Sequence, residues 1–537
     1  MINHKTALSF ARTDGVAYRY SLGILLVIVL ATAISLVGVM GYEFLLWDDN
    51  RIVYELHSRG GSFFEWLANT RVTNLFTPVS SLYFGILANV FGITPIPFHA
   101  ANVLLHLLNT LLVYLLVMRL FLLMPAATSV PLLQPLVAVA VAGLWGMHVL
   151  RSEVIGWVAA TPYTLSTALA LLAIFSFISS YTSSTPRIGV RISLVLYGLS
   201  VFAHPQTAPL CCVLLTLDYL LSNQASPDAK ARLTTMYFIK RHAAFFMVGL
   251  LVMIVGMAVR SSVPVMPFQL SAGAFSNASA DLAKLLGFIC NFSLFHAWLP
   301  LHVSLVYNSY EVAGWLSFYL LASVFFFSVI VFVGIRRWTD GRKGLLLAVS
   351  CHMAFCIPAA GMFMPKYVPA DRYTYGIAII AAVVFAFALR SGGELVAKRL
   401  ISTVSIRTQG ISLAGITLML LLVCLSGLVA ALPNWENTHS LMVQLQKTAP
   451  SQNWRYFAKL RDADYWEAKG DIPQMQQAIM SFLDAPQGNE EEALVLAVQY
   501  LVSNTRCEKA RYLARAANIQ LAPSNAASLD TIFRRCR

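Results

Sequence analysis

Apolar and polar positions along this chain alternate on the length scale of a bilayer. Predominantly apolar runs occupy 21–46, 97–122, 155–181, 242–260, 313–336, 344–362, 371–390 and 411–432. Most match or approach the roughly 20 residues that an α-helix needs to span a membrane. Shorter runs at 135–148, 192–203 and 208–222 complete hairpins with their neighbours. The pattern predicts an all-α polytopic membrane protein with about eleven transmembrane helices.

Basic residues set the orientation. Lys5, Arg12 and Arg19 precede the first run, and Arg187, Arg191, Lys230, Arg232, Lys240, Arg241, Arg336, Arg337, Lys398, Arg399 and Arg407 fall in alternate loops. Short loops rich in Lys and Arg stay in the cytoplasm, so the N-terminus is expected inside and the C-terminus in the periplasm or lumen. The first run is longer than a signal-peptide core and lacks a small-x-small cleavage site, so an uncleaved helix is expected. Two polar-apolar stretches fit the same orientation only if they do not cross. Residues 47–96 form a long first outer loop, in which "SFFEWLANT" and "TPVSSLYFGILANVFG" lie on the surface as interfacial helices. Residues 282–310, interrupted by Pro300, are expected to be re-entrant or interfacial. Compact loops and a short chain favour a bacterial inner membrane over the endoplasmic reticulum.

After Pro433 the pattern turns polar, which divides the chain into a membrane domain (1–432) and an extracytoplasmic helical domain (433–537). Within the tail, "YFAKLRDADYWEAKGDIPQMQQAIMSFLDAP" and "EALVLAVQYLVSNTRCEKARYLARAANIQLAPSN" share an aromatic-bearing helix, a turn, an Ala-rich helix and a closing Pro. Two degenerate tetratricopeptide-type hairpins are the expectation, a generic helical cap the alternative. Six cysteines lie in apolar runs, where a small buried hydrophobe is the default. The other two, Cys507 and Cys536, are in the tail, and an oxidising compartment would let them form a disulfide.

Composition agrees with a membrane chain: 58% hydrophobic and only 12% charged, about half the charged share of a soluble domain. The net charge of +13 would suggest nucleic acid in a soluble protein. Here it follows the inside loops, and nucleic-acid binding is set aside. No Cys/His group has zinc spacing, and His99 and His106 suit a packed pair better than a metal site.

Polar residues gather near one membrane face. Asp48 and Asp49 head the first outer loop, with Arg71 and Asn74 later in it. His99, Asn102, His106 and Asn109 recur at helical spacing, His148, Arg151 and Glu153 stand between two spans, and His204 with Gln206 occupy the next outer turn. Lys366, Asp371, Arg372, Tyr373 and Tyr375 open the tenth span. Ionisable groups at membrane depth are costly and are retained for function. A carboxylate facing cations at the bilayer edge suits an anionic lipid-linked substrate: the acid takes a proton from a hydroxyl, and the cations stabilise a departing phosphate.

The order of these motifs resembles the transmembrane O-mannosyltransferases that carry tetratricopeptide repeats, and their bacterial relatives. "WDDNRIV" matches the acidic pair after the first span. His99, Asn102, His106 and Asn109 fill a His-x-x-Asn-x-x-x-His-x-x-x-Asn helix. "GMHVLRSEVIGWVAA" is similar to a His-Pro-x-x-x-Glu-x-Val segment through His148 and Glu153. "FSLFHAWLPLHVSLVY" is similar to a Leu-Pro-rich re-entrant segment, and "PADRYTYG" supplies Arg372, Tyr373 and Tyr375. The resemblance implies a GT-C membrane fold and transfer of a sugar from a polyprenyl-phosphate donor to a hydroxyl of a protein or surface glycan, with inversion. It implies Asp49 or Asp48 as base and Arg372 as the principal phosphate contact. Tyr373, Tyr375, Lys366, His148, Arg151, Glu153 and His204 are expected around the donor, and Arg71, Asn74, His99, Asn102 and His106 on the acceptor or loop side. No cofactor and no obligatory metal is implied. The chain departs from the family at Arg151, where a second His is usual, at Ala160-Thr161 in place of Gly-Arg, and at His204-Pro205 in place of Lys-Glu. Those exchanges point to a sugar other than mannose.

Two other readings compete. A glycan ligase or polymerase using a diphosphate carrier would want a larger outer loop and more arginines. A transporter or flippase of lipid-linked glycans would place charges near the midplane and show inverted repeats, which this sequence lacks.

Overall fold

In hydrocarbon every backbone N–H and C=O has to be satisfied internally, and a helix does so within one segment. The computed structural model describes residues 15–52, 76–123, 133–222, 235–261, 296, 303–304, 307, 370–400, 406–449, 452–483, 490–517, 519 and 522–536, and among them it is helical with no strand. Six described helices are long and apolar enough to cross a membrane: Leu22–Gly41, Pro95–Leu123, Val158–Ser179, Pro186–Ala203, Asp371–Arg390 and Ala414–Trp435. The chain is an integral membrane protein. The spans expected at 313–336 and 344–362, the "SFFEWLANT" helix and most of 282–310 lie outside the described residues.

The described helices of the membrane body are α1 (Gly15–Leu36), α2 (Pro78–Phe91), α3 (Pro95–Leu123), α4 (Leu133–Gly146), α5 (Arg151–Gly156), α6 (Thr161–Ser179), α7 (Pro186–Ala203), α8 (Leu210–Ser222), α9 (Thr235–Ser261), α10 (Thr374–Leu400) and α11 (Ile406–Ala431). At 14 residues, α2 and α4 reach only about 21 Å at 1.5 Å per residue. The core lies where α3, α4, α6 and α10 meet, around Tyr114, Val117, Phe121, Trp145, Phe177 and Tyr375. Helix α4 presents Ala138, Ala142 and Gly143 to its neighbours. Small residues let helix backbones approach where lipid supplies no hydrophobic driving force. The outer faces remain apolar, with Val27 and Ile34 on α1, Met247 and Leu250 on α9, and Met419 and Val423 on α11 exposed.

One polar cluster pins the end of the body remote from the acidic pair. Asp218 on α8 is fully buried; it accepts hydrogen bonds from Tyr181 and pairs with His242 (2.7 Å) and Arg241 (3.3 Å) of α9.

Beyond α11 the chain forms α12 (Thr438–Thr448), α13 (Gln452–Ala468), α14 (Ile472–Met480), α15 (Glu490–Ser503), α16 (Cys507–Ala516) and α17 (Pro523–Phe533). Consecutive helices pack against each other: α12 on α13, α13 on α14, and α15 on α16 and α17. Asn437 and Asp471 cap α12 and α14 by accepting the N–H groups of Ser440 and Gln474. A separate core forms around Ile479, Phe482, Leu494, Val498, Leu501 and Leu513. Cys507 and Cys536 are joined by a disulfide. The tail is docked on the segment that follows α1. Glu43 N–H donates to the Glu436 carbonyl (2.8 Å), Leu46 N–H donates to Thr438 Oγ1 (2.9 Å), and Lys469 pairs with Glu43 (2.8 Å).

Candidate functional site

After α1 the chain turns at Leu46–Asp48, and the turn is closed by the acid that follows it. Asp49 Oδ2 accepts the Leu45 N–H (3.0 Å), while Oδ1 accepts the Ala159 N–H (2.7 Å) at the start of the fourth expected span. The side chain has no exposed surface. Burial raises its pKa to about 7, against the pull of those two N–H groups and with a further push from the Asp48 charge. Asp49 is a buried clamp between the segment that follows α1 and the loop before α6.

Its neighbour faces the other way. Asp48 is exposed, yet protein surrounds it closely enough that desolvation pushes its carboxyl above the ordinary range; the charges of Arg372, Arg51 and Arg461 oppose that push.

Arg372 is the strongest of those opposing charges. It sits in the short turn Asp371–Tyr373 that opens α10, and it is held from two sides. Glu153 of α5 takes the Arg372 backbone N–H on Oε2 (2.8 Å) and an Nη1 proton on Oε1 (2.5 Å). The guanidinium carbon lies 5.1 Å from the ring centre of Trp157 and 4.8 Å from that of Tyr373. Glu153 is buried, which raises its pKa against the countervailing charge of Arg372. The preceding Asp371 accepts hydrogen bonds from Tyr307 (2.9 Å) and His296 (3.1 Å), so the turn is anchored through both acids.

An aromatic row links this arginine to the tail. Trp157 stacks on Trp435 (5.9 Å) and packs on Trp47 (6.0 Å), and Trp47 in turn meets Phe457 (5.7 Å) and Trp454 (6.3 Å) of α13.

The remaining expected residues divide by location. Tyr373 lines the site beside Arg372, and its carbonyl accepts from Gln206 (2.6 Å). His204 packs on Tyr163 (4.1 Å) and accepts the Gln206 N–H. Desolvation and the nearby Arg372 lower its pKa to about 3, so it is a neutral ring. Arg151 lies behind the site, almost wholly buried, donating to the Trp145 carbonyl and Thr374 Oγ1 (both 3.1 Å). His148 is buried nearby and accepts the Leu150 N–H (3.4 Å).

His106, Asn102 and Tyr375 belong to the helix-packing core. His106 Nε2 meets the Gly146 carbonyl (2.9 Å), which only accepts, so Nδ1 accepts from the Tyr375 hydroxyl (2.9 Å). That hydroxyl accepts from Asn109 (3.2 Å). Asn102 donates to the Val154 carbonyl (2.6 Å) and accepts from Thr164 (2.7 Å). His99 is buried edge-on against Tyr42. Arg71, Asn74 and Lys366 lie outside the described residues.

Trp157, Trp435, Phe457 and Arg461 were not legible as site residues. Trp157 stands four positions after Glu153, an interval that was itself a signal. The C-terminal residues carry none at sequence level. Among the described residues, no three His, Cys, Asp or Glu side chains converge as metal ligands do. Comparisons with family models, with curated proteins and with solved structures find no match.

Proposed function

We propose that the chain is a membrane glycosyltransferase of GT-C type, moving a sugar from a polyprenyl-phosphate donor to an acceptor hydroxyl on the extracytoplasmic face of a bacterial inner membrane. The observation that carries this reading is that an exposed carboxylate, Asp48, lies in the field of a guanidinium, Arg372, which a buried acid holds in place.

In this reading Asp48 is the base and Asp49 a positioning residue. The acceptor O–H gives its proton to Asp48, and the oxygen attacks the anomeric carbon of the donor. The bond from that carbon to the phosphate oxygen breaks, and the electron pair leaves with the polyprenyl phosphate. The leaving phosphate gains one negative charge, which Arg372 is placed to stabilise. Glu153 keeps the guanidinium in place before the charge develops, so little reorganisation is needed during reaction. Holding donor and acceptor together at the membrane surface supplies several kcal/mol more.

The test is intact-mass analysis of surface proteins and glycans from cells expressing wild type or Asp48→Asn at equal abundance. A species lighter by one sugar in the variant supports transfer and identifies the acceptor. An unchanged profile with a folded, membrane-inserted variant rejects the assignment.

A further inference from the structure

Two guanidinium groups cap opposite ends of one row of aromatic rings. Arg372 covers Trp157, Trp157 packs on Trp47, Trp47 packs on Phe457, and Arg461 of α13 covers Phe457 at 5.5 Å. Asp48 directly follows the middle ring, and Arg51 is in the same turn, its N–H donating to the Asp48 carbonyl (3.1 Å). The reactive carboxylate therefore lies between one arginine that belongs to the membrane domain and a second that belongs to the tail.

The second arginine has less countercharge than the first. Arg372 has Glu153 to itself among the described ion pairs. Arg461 shares Asp464 with Arg506 and Lys509, at 3.5, 3.1 and 2.7 Å, and only Lys509 also reaches Glu467 (2.6 Å). Three cations thus share two carboxylates. The buried Nε of Arg461 makes no hydrogen bond. A donor sugar phosphate brings one anion, which Arg372 accounts for. Nothing in the donor needs a second cationic end beyond Trp47.

We infer that the acceptor is an anionic sugar unit of a surface glycan, bearing a phosphate or a carboxylate that Arg461 holds while its ring lies along Trp47 and Phe457. This rests on the transferase reading above. A planar guanidinium suits either anion, because both offer two oxygens to its fork of N–H donors. The aromatic faces suit the C–H face of a sugar ring, and the C-terminal domain thereby becomes part of the acceptor site.

The experiment uses the full-length protein in its own membranes, as wild type, Asp48→Asn, Arg461→Gln and Arg461→Lys, with thermal unfolding recorded for each. The species that loses one sugar mass in Asp48→Asn is the acceptor. It is isolated and passed over an anion-exchange resin, then tested for phosphate by hydrofluoric acid cleavage and for carboxylate by carbodiimide coupling. The expected acceptor is retained on the resin and positive in one of the two tests. With that isolated acceptor, Arg461→Gln raises the acceptor KM about tenfold or more, leaves the donor KM unchanged, and Arg461→Lys restores part of the loss. A neutral acceptor, or an acceptor KM unaltered in Arg461→Gln, overturns the inference while leaving the transferase reading in place. A profile unaltered by Asp48→Asn removes both.

Discussion

The Arg372 guanidinium and the Glu153 carboxylate, 219 residues apart in the chain, meet through two hydrogen bonds, one from the side chain and one from the backbone of the arginine. The pair joins the short helix α5 to the start of α10 and fixes the cation whose charge acts most strongly on Asp48. Removing one member of a buried pair leaves the other uncompensated, at a cost of about 3–5 kcal/mol. Glu153→Gln keeps the shape and loses the charge. Its thermal unfolding midpoint in detergent is expected well below that of wild type, and its donor KM is expected to rise. Because the two residues act as a unit, Glu153→Gln/Arg372→Ala should be less destabilised than the sum of the single variants. Additive losses would show that the contact is not a working pair.

Asp49 makes the stability of the turn that follows α1 depend on pH. Its pKa is raised to about 7 in the folded chain, against about 3.9 for a free aspartate. The folded state therefore binds this proton more tightly than the unfolded state. The stabilisation is complete below about pH 4 and is lost as pH rises through 7. A single proton gives a slope of at most about 1.4 kcal/mol per pH unit. His204, whose pKa is lowered, acts with the opposite sign as pH falls through its ordinary range, so the informative quantity is wild type minus Asp49→Asn. That difference should shrink as pH rises from 5 towards 7 and level off by about pH 8. A constant difference across the range would mean that Asp49 does not titrate there.

Much of the membrane body was legible because its cause is local. Residues such as Leu26, Val27 and Ile34 are apolar by virtue of their contact with lipid, and their spacing gives the helix directly. The polar residues of α3 were equally visible, but their roles were not. His106 and Asn102 look alike in sequence whether they face a substrate or bridge helices, and only the structure shows that they bond to Gly146, Val154 and Thr164 on neighbouring segments. Adjacent acids pose the same difficulty. The sequence offers Asp48 and Asp49 as equals, and only the Ala159 N–H, 110 positions further on, makes one of them a clamp. The tail's share in the site was the least accessible, since Phe457 and Arg461 reach Trp47 and Asp48 through tertiary packing alone.

The disulfide closes a sequence separation of 29 residues between the start of α16 and the end of the described tail. Constraint of the unfolded chain over such a loop is worth roughly 3–4 kcal/mol in the loop-entropy model. Reduction, or Cys507→Ser/Cys536→Ser, is expected to loosen α16 and α17 and to leave the membrane body intact. Hydrogen exchange reads this directly: amides around Leu513 and Leu529 should lose protection, and those of α3 around Tyr114 should not. Equal loss in both regions would show that the tail and the body unfold as one unit.

Gly156 ends α5 where the helix passes under Trp435. A Cβ at 156 would stand 2.6 Å from the Trp435 Cβ and 3.0 Å from its Cγ. A side chain rotates about its own Cβ and cannot carry that atom away, so relief requires the backbone of the turn Leu432–Trp435 to move. Trp435 stacks on Trp157, and Arg372 lies over Trp157, so the displacement is passed towards the site. Overpacking of this kind costs about 1–3 kcal/mol. Gly156→Ala is therefore expected to lower the unfolding midpoint and to slow transfer without altering membrane insertion. The origin of the clash fixes how it responds to a second change. Trp435→Phe keeps both offending atoms, so Gly156→Ala should cost as much in a Trp435→Phe background as in wild type. If the smaller ring restored stability, the contact that matters would be with the outer part of the indole, and the path from Gly156 to Arg372 would have to run elsewhere.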